Sequence, residues 1–334
     1  MVELVAPARG NWLVPLVQER WAQVGGVAGS GFPAYARILH PVPARRDDLT
    51  VTDEWSLHPT VEKASWRWAD VAARTGGTMH RLLQWGAMTG HDHHQIPPFG
   101  DGWNVDMPDD GFFDPDLLAV LTEHLRPATS TPEDLVAGIW DGWGELQDGS
   151  VVYSRLDDGP RVAVARGGAD PVEPSPEEPA SPDAPDPAHP EVLARKLRPS
   201  ILRRARLQEI RRKRARRLGV PAPDMATAAD RGPCLELPGR DYILFATDLD
   251  TLADPAWPTR EDIGWGDNQT GPMPQLIWPE DHAWVLASEI DWDSTILAGP
   301  RELVDALLAD DRFETFEVYE GDELTWESDT VNGA

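Results

Sequence analysis

Apolar residues recur in this chain with two different periods, and the alternation between those periods predicts an α+β fold. In the first half, Gly31-Phe32 leads into FPAYARILHPV, which reads as a strand. Val61, Ala64, Trp68, Val71 and Ala72 fall on one face at helical spacing, with Gly76-Gly77 behind them, so a helix is expected from about Thr60 to Arg74. Asp114-Pro115 opens a second helix. Asp is a capping residue, Pro suits the first helical position, and Leu117, Leu118, Leu121 and Leu125 form the buried stripe. Thr131-Pro132-Glu133-Asp134 reads as the start of a third, with Leu135, Val136, Ile139 and Trp140 facing inward. VVYSRL and RVAVAR, on either side of Asp157-Asp158-Gly159-Pro160, have the form of a hairpin. Beyond residue 233 the pattern resumes. DYILFATDL and AWVLASEI read as strands, Pro300 opens a helix with Leu303, Val304, Leu307 and Leu308 on one side, and FETFEVY reads as a last strand.

Between these parts the periodicity stops. Residues 167–190 hold eight prolines and six acids, no Lys or Arg, and no apolar side chain larger than Val172 to bury. Ordering a residue costs about 1 kcal/mol of backbone entropy, which so few apolar groups do not offset. Residues 166–199 are therefore expected to form a Pro-rich, acidic, disordered linker; its proline-rich stretch alone reaches up to ~75 Å at ~3.1 Å per residue. A basic helix and connector follow at 200–232, with Ser200 as cap and Gly219 and Pro221 as the stop. At ~100° per residue, Ile201, Leu202, Leu207, Ile210 and Leu218 scatter around its axis and leave no stripe to dock on a core. The expected organisation is two mixed α/β parts able to pack together, 1–165 and 233–334, interrupted by the linker and the basic helix.

Charge sharpens this picture. The chain of 334 residues carries a formal net charge of −27. Residues 233–334 contribute 24 acids against four arginines, whereas 191–217 sum to +10 and leave −37 on the remainder. The basic run comprises Arg203, Arg204, Arg206, Arg211, Arg212, Lys213, Arg214, Arg216 and Arg217. These residues suit phosphate neutralisation, and nucleic-acid association through 201–218 is one reading of them. The favoured reading is an internal counter-ion, because so acidic a body attracts such a segment and repels a polyanion. Fifteen tryptophans point to burial of large aromatics as a main source of folding energy. The single cysteine, Cys234, excludes an internal disulfide framework and fits a reducing cytoplasm. No run approaches the roughly 20 apolar residues of a membrane-spanning helix, and the first residues lack a secretory signal pattern. No membrane association is expected.

Several strings carry candidate chemistry. In GHDHHQ, His91, His93 and His94 lie close together, and on an extended loop His91 and His93 point the same way, so neutral imidazoles there suit Zn²⁺. That makes a metal-dependent hydrolase an alternative, with zinc the one cofactor considered. The pair resembles the His-x-His of metallo-β-lactamase-like hydrolases, but Gln95 and Ile96 stand where that family continues with Asp and His. A polar surface loop before Pro97-Pro98 is the plainer reading. In EIDWDSTI, Asp291 and Asp293 resemble the first motif of haloacid-dehalogenase-like phosphatases, whose paired acids act as nucleophile and general acid/base. The chain remaining after Asp293 is too short for that family's other βα units, so a hairpin turn is expected instead. GGVAGSG has no Lys behind it and precedes a strand, so it reads as a turn rather than a phosphate loop. Cys234 has no histidine pattern near it, and Trp66 and Trp68, at helical spacing, are expected in the core.

YARILHPV at 35–42 and PQLIWPEDHAWVLASEIDWDSTILAGPRELVDALL at 274–308 are similar to a family of uncharacterised proteins from high-GC actinobacteria. The resemblance implies no reaction; it implies that the two ordered parts belong together around an insertion. Two strands, a Gly-Pro helix start and a final strand also resemble the architecture of Smi1/Knr4-like immunity proteins. The leading expectation is a non-enzymatic, cytoplasmic binding or immunity-like protein. Its acidic C-terminal unit would engage a basic protein partner, with Glu280, Asp281, Glu289, Asp291 and Asp293 as contacts.

Overall fold

The computed structural model describes residues 2–17, 22–54, 57–90, 98–146, 151–155, 161–165, 221, 223–266 and 270–333. Short apolar strands from both halves of the chain build one antiparallel sheet of nine strands. The first half supplies β1 (Glu3–Leu4), β2 (Ala34–Leu39) and β6 (Leu135–Trp140); the second supplies β9 (Leu235–Leu237), β10 (Arg240–Thr247), β11 (Leu276–Pro279), β12 (Val285–Ala287), β13 (Ser294–Gly299) and β14 (Thr315–Val318). The order is β1-β10-β6-β11-β12-β13-β2-β14, with β9 also on β10. Strands from the two halves interleave: β6 lies between β10 and β11, and β2 between β13 and β14.

Both faces of this sheet are covered, which is why its strands read as continuous apolar runs. On one face Ile243, Phe245, Ala137 and Ile139 pack with the helices α4 (Pro115–Leu125) and α8 (Arg301–Leu308), through Leu118, Leu121, Leu303, Val304 and Leu307. On the other, Tyr242, Leu244, Val136 and Trp278 meet Leu13, Val17 and α1 (Val24–Ala28). A second sheet, β4-β3-β5 (Thr60–Trp66, Val42–Asp47, Trp103–Val105), covers a third cluster with α2 (Trp68–Thr75) and α3 (Trp85–Thr89). The strands β7 (Val151–Arg155) and β8 (Arg161–Ala165) pair as the expected hairpin. Of the shorter helices, α5 spans Pro223–Arg231, α6 Leu249–Leu252 and α7 Trp257–Arg260.

Two sequence expectations are corrected. The helix over Thr60–Arg74 is a strand followed by a helix. Residues 60–66 pair with β3 in the register Val42↔Trp66, and the helical face holds only from Trp68 onward. Arg67 separates the two, and its N–H donates to Asp70 Oδ2 at 3.0 Å. The helix expected after Thr131 is β6, whose burial on both faces hides the alternation that marks a half-exposed strand. FPAYARILHPV also divides, with β2 in one sheet and β3 in the other, linked through His40-Pro41. The expected cap is present, since Asp114 accepts from the N–H groups of Asp116 and Leu117. Pro300 precedes α8 as expected, and GGVAGSG forms α1 and a turn before β2. Residues 166–220, including all nine basic positions from Arg203 to Arg217, lie outside the described residues, as do His91, His93 and His94.

Candidate functional site

The five acids expected to face a partner are tied to the chain itself, and at separate places. Glu280 accepts from Arg9 at 2.6 Å, and the same guanidinium reaches Asp134. Asp281 accepts from Ser130 N (2.6 Å), Ser130 Oγ (2.7 Å) and Thr129 Oγ1 (2.9 Å). Burial works against that carboxylate, but these hydrogen bonds hold it below its ordinary pKa. Arg240 donates to Glu289 (2.7 Å) and Asp291 (3.0 Å) on the turn between β12 and β13. Only Asp291 of that pair faces solvent, at 73% exposed. Asp293 lies beneath, 3.2 Å from the fully buried guanidinium of Arg37. Burial raises the Asp293 carboxyl, and Arg37 opposes that shift. Asp291 and Asp293 serve different arginines, so they do not converge as a phosphatase pair would.

Arg37 begins a buried polar layer where the two sheets meet. Its Nε donates to Ser294 Oγ at 2.8 Å and its Nη1 to the Leu83 carbonyl at 2.8 Å, so it ties β2 to β13 and to the loop before α3. Next along the chain, His40 Nδ1 is 2.6 Å from the Asp109 carbonyl and Nε2 is 2.8 Å from Thr295 Oγ1. A carbonyl only accepts, so Nδ1 carries the proton and Nε2 accepts from Thr295. The Thr295 hydroxyl in turn accepts from Ser288 Oγ at 2.7 Å. Burial drives the His40 imidazole down to about 4, so it is neutral at physiological pH. Both of its nitrogens are engaged, which makes it a fixed strut rather than a free base.

This layer backs a cleft of about 370 Å³. His40 and Pro41 line it from the link between the sheets, Pro43 from β3, Lys63, Ala64 and Ser65 from β4, and Asp109, Phe112 and Asp114 from the loop before α4. That loop is seated by Gly111. The Gly111 N–H donates to the Trp292 carbonyl at 2.8 Å, its φ is +61°, and a Cβ there would lie 2.6 Å from Ile290 Cα. Phe112 stacks on Trp265 with ring centroids 5.6 Å apart. Burial raises the Asp114 carboxyl, and the neighbouring charges of Asp116 and Asp109 add to the shift, although two backbone N–H groups oppose it. The cleft thus sets the carboxyls of Asp109 and Asp114 and the Lys63 ammonium beside Pro41, Pro43 and Phe112. The sequence signalled only part of this. Asp114 was legible as a helix cap, but nothing local brings residues 40, 63–65 and 109–114 together.

A second group of acids lies at the end of β10. The Asp141 N–H donates to the Asp241 carbonyl at 3.0 Å. Burial pushes the Cys234 thiol up to about 11, with Asp141, Asp241 and Glu236 adding to the shift. A thiol held there is protonated at neutral pH and is no nucleophile. Among the described residues, no group of three or more His, Cys, Asp or Glu is placed to hold a metal ion. Trp68 is wholly buried, as expected, while Trp66 packs on Phe99 and Trp103 with Arg74 over its ring. No helix among the described residues is long and apolar enough to cross a membrane.

Compared with family models, curated proteins and solved structures, the chain matches none.

Proposed function

We propose that this chain is a non-catalytic, cytoplasmic binding protein that engages a basic protein partner. The observation that carries this reading is the cleft beside His40, where Asp109 and Asp114 face one another's field between Pro41, Pro43 and Phe112. An arginine or lysine side chain suits it: the stem covers the rings and the cation meets the Asp114 carboxyl, whose charge burial disfavours. The net charge of −27 draws such a partner in before contact. Contact therefore centres on Asp109 and Asp114, with Glu280, Asp281 and Asp291 the exposed members of the five acids first considered.

The test is titration of the full chain with a ten-residue peptide of alternating arginine and valine, followed by fluorescence anisotropy at two salt concentrations. Binding should weaken as salt rises. The double substitution Asp109→Asn, Asp114→Asn should lower affinity by about tenfold or more. Asn retains the cap at position 114, so the helix survives the change. Lys63→Gln, which removes a cation from the wall, should raise affinity by about two- to fivefold. Unchanged binding by the double variant would remove the cleft from the account.

A further inference from the structure

Two walls of the cleft are tied to each other by one short hydrogen bond. His40 and Pro41 form one wall, and Asp109, Phe112 and Asp114 form another. The His40 Nδ1–H donates to the Asp109 carbonyl at 2.6 Å and so joins them. Which nitrogen carries the proton is set on the far side of the ring. Thr295 Oγ1 lies 2.8 Å from Nε2, and Ser288 Oγ lies 2.7 Å from Thr295 Oγ1. A hydroxyl has one proton to give. Given to Nε2, it keeps that nitrogen aprotic and holds the imidazole proton on Nδ1, facing the carbonyl. Ser288, Thr295 and His40 are all buried, so these bonds are not exchanged for bonds to water. The same loop is held at Gly111, whose N–H donates to the Trp292 carbonyl and whose carbonyl accepts from Gln275 Nε2 at 3.1 Å. Between the fixed walls, Asp114 uses Oδ1 for both of its cap bonds, from the N–H groups of Asp116 and Leu117. Its Oδ2 accepts no hydrogen bond among the described residues.

We infer that this relay makes the cleft selective for arginine over lysine, with His40 and Thr295 as positioning residues that act through the Asp109 carbonyl. This rests on the functional reading above and narrows the partner to a protein segment that presents an arginine. A guanidinium is flat, stacks on ring faces and carries its donors in a rigid fork, so its fit depends on a fixed spacing between walls. A lysine ammonium is a compact charge on a flexible stem and tolerates a looser slot. Pro41, Pro43 and Phe112 supply the faces, and Asp114 the carboxylate. Without the Thr295 hydroxyl, nothing keeps the proton off Nε2. Nδ1 then turns a lone pair on the carbonyl, and the walls part.

The experiment titrates the full chain with two decapeptides, alternating arginine–valine and alternating lysine–valine, by fluorescence anisotropy. The unaltered chain should bind the arginine peptide about fivefold more tightly, the worth of one net hydrogen bond. Thr295→Val should remove that preference, weakening the arginine peptide about fivefold and the lysine peptide by less than about twofold, and Thr295→Ser should restore it. Asp248→Ala removes the hydrogen bonds to Thr251 that cap α6, and serves as a destabilised control in which the preference should persist. Imidazole nitrogen NMR of the unaltered chain should find the His40 proton on Nδ1. Equal binding of the two peptides by the unaltered chain would overturn arginine selection while leaving the basic-partner reading intact. So would a His40 proton on Nε2, a preference that survives Thr295→Val, or a preference lost equally in Asp248→Ala. Failure of both peptides to bind the unaltered chain would overturn both readings.

Discussion

Two buried side chains couple this fold to pH in separate windows. His40 stays neutral in the folded state, with its pKa lowered to about 4 by burial, whereas the unfolded chain takes up the proton near the ordinary value of 6.5. Between those values the unfolded state binds more protons, so stability falls as pH drops from about 6.5 toward 4, by on the order of 3 kcal/mol if His40 acts alone. His40→Gln should flatten that part of the curve in urea titrations at stepped pH. Asp329 acts lower. It accepts from His80 Nε2 (2.7 Å), Gln84 N (3.0 Å) and Asn332 Nδ2 (2.8 Å), while Asn332 Oδ1 accepts from Thr78 N at 2.7 Å. Burial works against its charge, but these hydrogen bonds hold the carboxyl below the ordinary value. Its contribution is complete above the unfolded pKa and is lost as pH falls through the folded one. Asp329→Asn should cost about 2 kcal/mol at neutral pH and soften the acid limb of unfolding.

At the scale of elements, α2 shows what local sequence does and does not carry. Its N-terminus is held by Glu314, which accepts from Trp68 N at 2.7 Å and Ala69 N at 2.9 Å, from a loop far along the chain. A carboxylate on those N–H groups also meets the positive end of the helix. Glu314→Ala should destabilise the protein by about 1–2 kcal/mol, measurable by chemical denaturation. Where the cap is local, as at Asp114-Pro115, the helix start was legible. At α2 the only local signal is Asp70 accepting from Arg67 N–H, and the rest of the cap comes from Glu314, so the sequence does not separate residues 60–66 from the helix. The same distinction covers the site. Asp291 and Asp293 were legible as residues of a turn, but the arginines that occupy them, Arg240 and Arg37, are brought there only by the sheet. The stripe of α4 and the hairpin of β7 and β8 were legible because each is settled by its own residues.

At the scale of the molecule, the interleaved strand order makes the two halves one cooperative body. Removing the second half strips both β6 and β2 of neighbours on both sides, and removing the first takes those two strands out from between theirs. Fragments 1–165 and 221–334, expressed separately, should each fail to fold, and should recover the native circular-dichroism spectrum when refolded together. Recovery by either fragment alone would contradict the shared sheet. The pairing also imposes a schedule on synthesis. The neighbours of β2 are encoded about 260 residues after it, so at roughly 5–20 residues per second the nascent chain waits on the order of 13–50 s before either flank of that apolar ribbon has emerged. During that interval the ribosome-bound chain carries an incomplete barrier against aggregation, and a chaperone that shelters Ala34–Leu39 should matter more to yield than any chaperone acting after release.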